Sequence, residues 1–269
     1  MLAVVGTIPE NDFPLTTGKI KAFGNELNIN KKKVPVNRGT PALLSAMEQT
    51  LKTLGNREIT SFLAGDIGLG DGSFKLYQYL VDNIADMDID VIVFHYLQPD
   101  VDWHNKIIFR LQELKKKPII IADAGFMYAA KMSGLAPSYD LFTPDAGELA
   151  FLADEKAPHP FYTRGFILHK DNKIPDLITR AYSHGNAAEN LLVKGSTDYI
   201  ADKSGILSSV NSPATEAMEA MGGTGDTLTG IVTALIGSGM EIPEASEKAA
   251  MINRLAGFYA KPDPAYPGW

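Results

Sequence analysis

One short segment of this chain combines residue types that handle phosphate groups and protons. It reads MGGTGDTLTG over residues 221–230, and the apolar residues that follow Asp226 have helical spacing. Glycine lets the backbone approach a bulky anion closely, and a helix N-terminus offers free N–H groups and a dipole that favour phosphate. Because a carboxylate repels phosphate, Asp226 makes sense as a base that takes a proton from a nearby hydroxyl, or as a metal partner. The segment predicts phosphoryl chemistry, with a capped glycine-rich turn as the structural alternative.

Four other polar segments follow stretches that the sequence predicts to be buried strands. They contain Asp66, Asp123, Asp145 to Glu148, and Lys194 to Thr197. Strands that alternate with helices of about ten or more residues indicate a mostly parallel sheet covered on both faces. In such a sheet, ligands bind beyond the carboxyl ends of the strands. We therefore predict one α/β domain over residues 1–269, with its site at this edge and the glycine segment completing it.

The hydrophobic periodicity predicts the elements that position these segments. Buried strands are expected at residues 2–5, 59–64, 90–97, 118–121, 139–143 and 190–193. One helix is expected to begin with Thr40 as N-cap and Pro41 in the first turn, and others to cover residues 101–116, 125–132, 177–183, 225–238 and 243–260. Residues 199–201 and 206–210 predict a hairpin at the sheet edge. Residues 7–38 are expected to be irregular, 153–173 to form a surface excursion or lid, and 261–269 to be extended.

The composition narrows the classes of protein that the chain can represent. Its 269 residues carry a formal net charge of −7, and 45% of them are hydrophobic. The acidic balance argues against a general role in binding nucleic acids or membrane surfaces, because both kinds of binding need a basic protein face. There is no cysteine, so disulfides, thiolate nucleophiles and cysteine-based metal sites are excluded. No apolar run approaches the roughly 20 residues that cross a bilayer, and the N-terminus lacks signal-peptide features, so a cytoplasmic protein is expected.

A second glycine-rich segment, GDIGLGDGS at residues 65–73, follows a predicted strand. It matches neither the dinucleotide-binding fingerprint nor the spacing of a calcium-binding EF-hand loop. Two interpretations therefore remain. The segment is either a ligand-binding loop around Asp66 and Asp71 or a structural turn capped by Ser73. The five histidines are scattered, with no pair at metal-ligand spacing, which argues against a zinc site.

Two segments, LLVKGST at residues 191–197 and GGTGDTLTG at 222–230, resemble those of the ribokinase-like superfamily. Within it, the chain is most similar to the nucleotide-dependent NAD(P)H-hydrate dehydratases, a carbohydrate-kinase-related family. VNRGTPA at 36–42 resembles that family's Gly-Ala-Pro helix start, ADA at 122–124 its Asp-Ala-Asp strand end, and TPDAGE at 143–148 its Thr-Pro-His-x-Gly-Glu segment. The resemblance implies a three-layer α/β/α ribokinase-like fold with a mostly parallel central sheet.

The resemblance also implies a nucleotide site that unites most of these segments. Asp226 is expected to be the general base, and the amides of Gly222, Gly223, Thr224 and Gly225 to form an anion hole for the transferring phosphoryl group. ADP or ATP would be lined by Lys194, Gly195, Ser196, Thr197 and Asp198. Ala42, Asp123 and Asp145 would face the substrate. Because Asp145 and Glu148 lie three residues apart at a predicted helix start, Glu148 is expected to hold Mg²⁺ through water, with helix capping as its structural alternative.

The chain departs from the family at two places. Where the family has a Gly-Pro-Gly-Leu-Gly turn after the strand at residues 91–94, this chain has His95-Tyr96-Leu97-Gln98-Pro99. The family histidine of Thr-Pro-His is replaced by Asp145, whose carboxylate would repel a substrate phosphate. Both changes fall on the side of the site that selects the substrate, so they leave nucleotide use less affected than the choice of acceptor.

The function implied by the resemblance is the ADP- or ATP-dependent dehydration of hydrated NADH or NADPH. The ring hydroxyl would be phosphorylated and the phosphate then eliminated, which repairs the nicotinamide nucleotide. Two alternatives use the same residues: an ATP-dependent kinase of a small alcohol or sugar-like molecule, and a nucleotide-binding protein without turnover. In all three the partners are small molecules rather than nucleic acids or membranes, and assembly into a homo-oligomer is compatible with the superfamily.

Overall fold

The computed structural model describes residues 1–55, 57–157, 173–263 and 265. Within these residues eleven strands form one sheet. In chain order the strands are β1 (Leu2–Ile8), β2 (Thr16–Phe23), β3 (Glu26–Ile29), β4 (Lys32–Pro35), β5 (Ile59–Gly65), β6 (Val91–His95), β7 (Ile119–Ala122), β8 (Leu141–Phe142), β9 (Asn190–Val193), β10 (Asp198–Asp202) and β11 (Gly205–Val210). Across the sheet they lie in the order β11-β10-β9-β8-β7-β6-β1-β5-β2-β3-β4.

The centre of the sheet is parallel and its two edges are antiparallel. Strands β9, β8, β7, β6, β1 and β5 lie side by side and run parallel to one another. At one edge β10 and β11 form an antiparallel pair, which confirms the predicted hairpin. At the other edge β2, β3 and β4 form an antiparallel meander attached to β5. The carboxyl ends of the six parallel strands therefore meet along one rim of the sheet.

The expectation that residues 7–38 are irregular was wrong, because most of them belong to the meander. Buried residues alternate with more exposed ones in it, as Ile20 and Ala22 do in β2 and Leu27 and Ile29 in β3. The strands are short and rich in lysine, so the period of two does not stand out in the sequence. Lys31 forms the turn between β3 and β4 with a φ of 68°, whereas the two lysines after it begin β4.

Helices connect and cover the strands. They are α1 (Thr40–Leu54), α2 (Asp71–Asn83), α3 (Val101–Gln112), α4 (Gly125–Met132), α5 (Ala146–Ala153), α6 (Ile174–Ser183), α7 (Ala217–Ala220), α8 (Thr224–Gly237) and α9 (Ile242–Ala260). Most bounds lie within a few residues of the predicted ones, and α7 was not predicted. The N-cap of α1 is Gly39 and not Thr40, although Pro41 lies in the first turn as expected. Thr40 is fully buried and points its hydroxyl towards His95, so it is unavailable as a cap.

The core lies in two layers, one on each face of the sheet. Strand β1 shows the division, since Ala3 and Val5 pack on one side and Leu2 and Val4 on the other. The first layer includes apolar residues of α2 to α6, and the second those of α1, α8 and α9. Helices therefore cover both faces of the sheet, and the helix, sheet and helix layers confirm the predicted α/β/α architecture. None of the helices among the described residues is both long and apolar enough to cross a membrane.

Two expected features fall partly outside the described residues. Residues 158–172 of the expected lid and residues 264 and 266–269 of the expected extended tail are not among them.

The segment at residues 65–73 forms a turn built around Asp66. This carboxylate is buried and accepts hydrogen bonds from the amides of Gly68, Gly70 and Ser73 and from the Ser73 hydroxyl, all at 2.9 to 3.0 Å. Gly68 and Gly70 have φ values of 95° and 92°, which glycine adopts without strain. Ser73 lies inside α2, whose N-cap is Gly70, so it stabilises the turn through Asp66 rather than by capping the helix. Both Asp66 oxygens are engaged, which favours the structural interpretation.

Gly230 provides a test of the packing between α1 and α8. A Cβ at this position would lie 2.2 Å from the backbone oxygen of Leu43, so Gly230→Ala should force the two helices apart. Overpacking costs about 1–3 kcal/mol and is offset by about 1 kcal/mol of helix propensity, and because the clash is with backbone we expect a net loss of up to about 2 kcal/mol in urea unfolding. Gly257→Ala is the matched control, because its Cβ would meet the flexible end of Met218. Equal losses in the two variants would contradict this account.

Candidate active site

The glycine segment turns sharply into α8, as the sequence predicted. Gly223 is the N-cap with a φ of 99°, and Thr224 is the first helical residue. A Cβ on Gly225 would lie 3.6 Å from the Lys194 ammonium, and one on Gly223 would lie 3.3 Å from the Cα of Arg38. The first-turn amides of α8 have no acceptor within the helix, and two cationic residues, Lys194 and Arg38, border the loop. This end of α8 can therefore receive an anion.

Asp226 lies in the first turn of α8 and is 7% exposed. Its Oδ2 accepts a hydrogen bond of 2.6 Å from the Gly39 amide, and its Oδ1 lies 3.1 Å from Nε2 of His95. Burial alone would raise the pKa of Asp226, but the hydrogen bond and charge of His95 and the Gly39 amide lower it below its usual value. The carboxylate is therefore ionised at neutral pH and able to accept a proton.

Lys194 follows β9, and its side chain lies between Asp123 at the end of β7 and the glycine segment. Its Nζ lies 3.0 and 2.9 Å from the two oxygens of Asp123, which follows β7, and Asp123 also accepts a 2.7 Å hydrogen bond from Thr229 of α8. Burial alone would lower the pKa of Lys194, but Asp123 and Glu148 raise it, so the ammonium keeps its charge. The structure thus brings together Asp123, Lys194 and Asp226, which the sequence placed on three separate segments.

Asp145 and Glu148 cap α5 reciprocally. The Asp145 side chain accepts from the Glu148 amide at 2.8 Å, and the Glu148 side chain accepts from the Asp145 amide at 2.8 Å. Burial, then the charges of Asp123 and Asp145, raise the pKa of Glu148 to about 8. A divalent cation nearby would favour its ionised form. In the described part of the chain no three His, Asp or Glu side chains are close enough to hold a metal, so Glu148 can contribute only one carboxylate to a largely hydrated ion.

The expected nucleotide-lining loop divides into an exposed part and a supporting part. Gly195 and Ser196 are exposed and Thr197 is half-buried, whereas Asp198 is buried beneath them. Asp198 accepts from the Gly195 amide at 3.1 Å and from Nε of Arg254 at 2.8 Å. The Arg254 guanidinium also donates to the backbone oxygens of Gly195 and Ser196 at 2.9 and 3.0 Å. Arg254 of α9 therefore holds the loop in place, and Asp198 acts from below it.

Ala42 lies in the first turn of α1 and is 4% exposed. Its amide donates to the Gly39 oxygen at 3.0 Å, so it supports the turn that carries the amide bonded to Asp226.

Sequence reasoning missed four residues of this region: Arg38, His95, Tyr96 and Arg254. His95 is fully buried against Asp226, and Tyr96 packs edge-on to it at 4.5 Å between ring centroids while remaining 51% exposed. Arg38 is exposed and lies along Gly222 and Gly223. A signal existed for the first three, since a histidine and a tyrosine replace a glycine turn and an arginine precedes a helix start. Arg254 sits within an ordinary helical pattern and gave none.

Arg254 allows a test of how the loop is supported. Arg254→Met would leave Asp198 buried without its partner, which typically costs about 3–5 kcal/mol. Asp198→Asn combined with Arg254→Met should recover part of this loss, because the uncompensated charge is then gone. Urea unfolding of the two single variants and the double variant measures the coupling. Additive losses would show that the two side chains do not stabilise each other.

Known proteins match this chain in both sequence and fold. A family model described as NAD(P)H-hydrate dehydratase matches residues 97–268. An uncharacterized protein of Methanocaldococcus jannaschii is 41% identical over 223 residues, which cover 82% of this chain and 91% of that protein. The ADP-dependent (S)-NAD(P)H-hydrate dehydratase of Cenarchaeum symbiosum is 32% identical over 138 residues, covering 51% of this chain and 43% of the relative.

The fold is shared with solved kinase structures. A phosphofructokinase-2 variant of Escherichia coli superposes with a TM-score of 0.60 at 15% sequence identity, covering 95% of this chain and 92% of the other. At this identity the likeness concerns the fold alone. It confirms the ribokinase-like architecture expected from the sequence, and the family match adds the subfamily. The chain belongs to the NAD(P)H-hydrate dehydratase family.

Proposed function

We propose that this protein dehydrates hydrated NADH or NADPH at the expense of ADP or ATP. Membership of the dehydratase family supports this reaction, and the ADP dependence of the Cenarchaeum symbiosum relative favours ADP as the phosphoryl donor. The observation that carries the proposal is the position of Asp226. An ionised carboxylate lies in the first turn of a helix whose N-terminus is flanked by Arg38 and Lys194.

The glycine segment supplies the anion-binding part of this proposal. The amides of Gly222, Gly223, Thr224 and Gly225 would receive the terminal phosphate of the nucleotide, with Lys194 and Arg38 balancing its charge. Gly195, Ser196 and Thr197 would line the rest of the nucleotide, on a loop that Arg254 and Asp198 support. Preorganised donors of this kind stabilise the charge that spreads over the transferring group.

Asp226 would act on the acceptor hydroxyl. It removes the hydroxyl proton as the oxygen attacks the terminal phosphorus, and the bond between that phosphorus and the nucleoside phosphate breaks. The ring then carries a phosphate ester. Breaking its C–O bond with loss of a proton from the adjacent ring carbon releases inorganic phosphate and restores the double bond. Asp123 and Asp145 would face the substrate side, with Asp123 held by Lys194.

Mg²⁺ is part of the proposal through Glu148. Glu148 would hold the ion, largely through water, and the ion would supply positive charge that the Lys194 and Arg38 side chains leave lacking. The raised pKa of Glu148 fits such a role, because a carboxylate crowded by Asp123 and Asp145 is relieved by a cation. A cytoplasmic location and assembly into a homo-oligomer stay predictions.

A kinase of a small alcohol is the second candidate. Two observations favour it: His95 and Tyr96 stand where the family has a flexible glycine turn, and Asp145 replaces a histidine. The ring of Tyr96 is half exposed close to Asp226, so this chain shapes the acceptor side of the crevice differently. A kinase would use the same proton transfer and stop at the phosphate ester.

The dehydratase reaction can be followed through the near-ultraviolet absorbance of the reduced nicotinamide ring. We expect the protein with ADP or ATP and Mg²⁺ to restore this absorbance to hydrated NADH or NADPH. Asp226→Asn should lower kcat by about 10²–10⁴-fold while nucleotide binding, measured by calorimetry, is kept. Nucleotide consumption with an added alcohol but without recovery of absorbance would support the kinase. Binding without any turnover would support the nucleotide-binding alternative.

Arg38 tests the anion site. No ion pair involves Arg38 within the described residues, so its charge is free to meet a phosphate. Arg38→Ala should raise the KM for the nucleotide about 10–100-fold, because charge-assisted hydrogen bonds to phosphate are strong. Arg110→Ala is the matched control, since Arg110 is an exposed arginine of α3 whose partner is Glu113. An equal effect of both substitutions would point to net charge alone.

A further inference from the structure

His95 links the proposed base to a buried threonine. It is completely buried at the end of β6, with Nε2 at 3.1 Å from Oδ1 of Asp226 and Nδ1 at 3.0 Å from the Thr40 hydroxyl. Thr40 is also fully buried, in the first turn of α1. Three elements that are distant in sequence therefore meet in one continuous line of hydrogen bonds that ends at Asp226.

The groups around His95 determine which of its two ring nitrogens carries a hydrogen. An ionised carboxylate only accepts hydrogen bonds, so Nε2 must carry the proton that it shares with Asp226. The Thr40 hydroxyl can either donate to Nδ1 or accept from it, so the line stays intact whether His95 is neutral or charged. Asp123 lies 3.8 Å from Nε2 on the β7 side and is itself paired with Lys194, and the Tyr96 ring closes the remaining side.

The contacts of Asp226 leave it one orientation. Gly39 donates to Oδ2 and His95 approaches Oδ1, so the carboxylate plane is fixed from two sides. Gly39 lies immediately before α1, and the turn that carries it also contains Arg38, which borders the glycine segment. The remaining lone pairs of Asp226 can face the anion site. Without His95, the Gly39 amide would be the one hydrogen-bond donor that the described residues offer to this side chain.

We infer that His95 is a positioning residue for Asp226: its Nε2–H orients the carboxylate and favours the ionised state that accepts the substrate proton. The inference rests on the proposed function, in which Asp226 is the general base. The inference gives the replacement of the family's glycine turn at residue 95 a role at the catalytic end of the site, because His95 contacts the proposed base, Asp226. Thr40 fixes the His95 ring from the other side, which explains why that threonine is buried instead of capping α1.

The kinetic test compares His95→Leu, which removes the donor, with His95→Gln, whose amide can still donate. We expect His95→Leu to lower kcat about 10–100-fold, to leave the nucleotide KM within about twofold, and to move the acidic limb of the pH–kcat profile upward by about one pH unit. His95→Gln should recover much of kcat. An unchanged profile and kcat in a folded His95→Leu protein would overturn the inference, as would equal defects in the two variants. If His95→Leu fails to fold, His95→Gln decides, because loss of most of kcat in a folded variant that keeps the donor would overturn the inference.

A second measurement needs no turnover. In ¹⁵N-histidine NMR spectra of the ligand-free protein, we expect the His95 resonances, identified by their loss in His95→Gln, to show a protonated Nε2 at neutral pH. Asp226→Asn should shift these resonances, because the acceptor of the Nε2 hydrogen bond changes. An unprotonated Nε2 at neutral pH would overturn the inference even in an active enzyme. The expected NMR signature together with a wild-type protein that turns over no nucleotide would count against the proposed function and not against the His95–Asp226 pairing.

Discussion

The pairing of buried charges at the carboxyl rim of the sheet is the constraint on which the site depends. Two carboxylates, Asp123 and Asp226, and one ammonium, Lys194, are largely removed from water there. Ionised groups are stable in such surroundings only when partners of opposite charge and hydrogen-bond donors meet them. Lys194 and Thr229 satisfy Asp123, and His95 and Gly39 satisfy Asp226. The strands after which these side chains lie must therefore keep their register.

The same constraint explains why α8 approaches α1 so closely. Asp226 reaches the Gly39 amide only if the first turns of the two helices lie side by side, and further along Gly230 makes room for the backbone at Leu43. The glycines of α8 therefore have two different roles. Gly223 permits the tight turn before the helix, whereas Gly230 permits the close approach of its neighbour. Asp226 and the N-terminus of α8 are therefore held by backbone geometry as much as by side chains.

The sequence was most informative where residue type and periodicity point the same way. The parallel strands are apolar runs in the sequence, and the GGTGD segment predicted both the turn and the apolar helix that follows it. The meander of β2 to β4 was not predicted, because its strands are short and carry lysines at exposed positions. Arg254 was missed for another reason, because its importance comes from a contact across 56 residues, which no local pattern encodes. The departure at His95 was visible in the sequence, but its partner Asp226 lies 131 residues away.

Arg254 supports the loop after β9, and this contact also affects the order in which the loop becomes structured during synthesis. A ribosome delivers the chain from its N-terminus, so the segment around Asp198 emerges before α9 does. Until Arg254 follows, the buried carboxylate lacks its hydrogen-bonded cation, and the oxygens of Gly195 and Ser196 lack the donor that Arg254 supplies. A growing chain can complete much of its parallel sheet while this loop is still unsupported. The contacts that fix the loop after β9 are therefore among the last of the fold to form during synthesis.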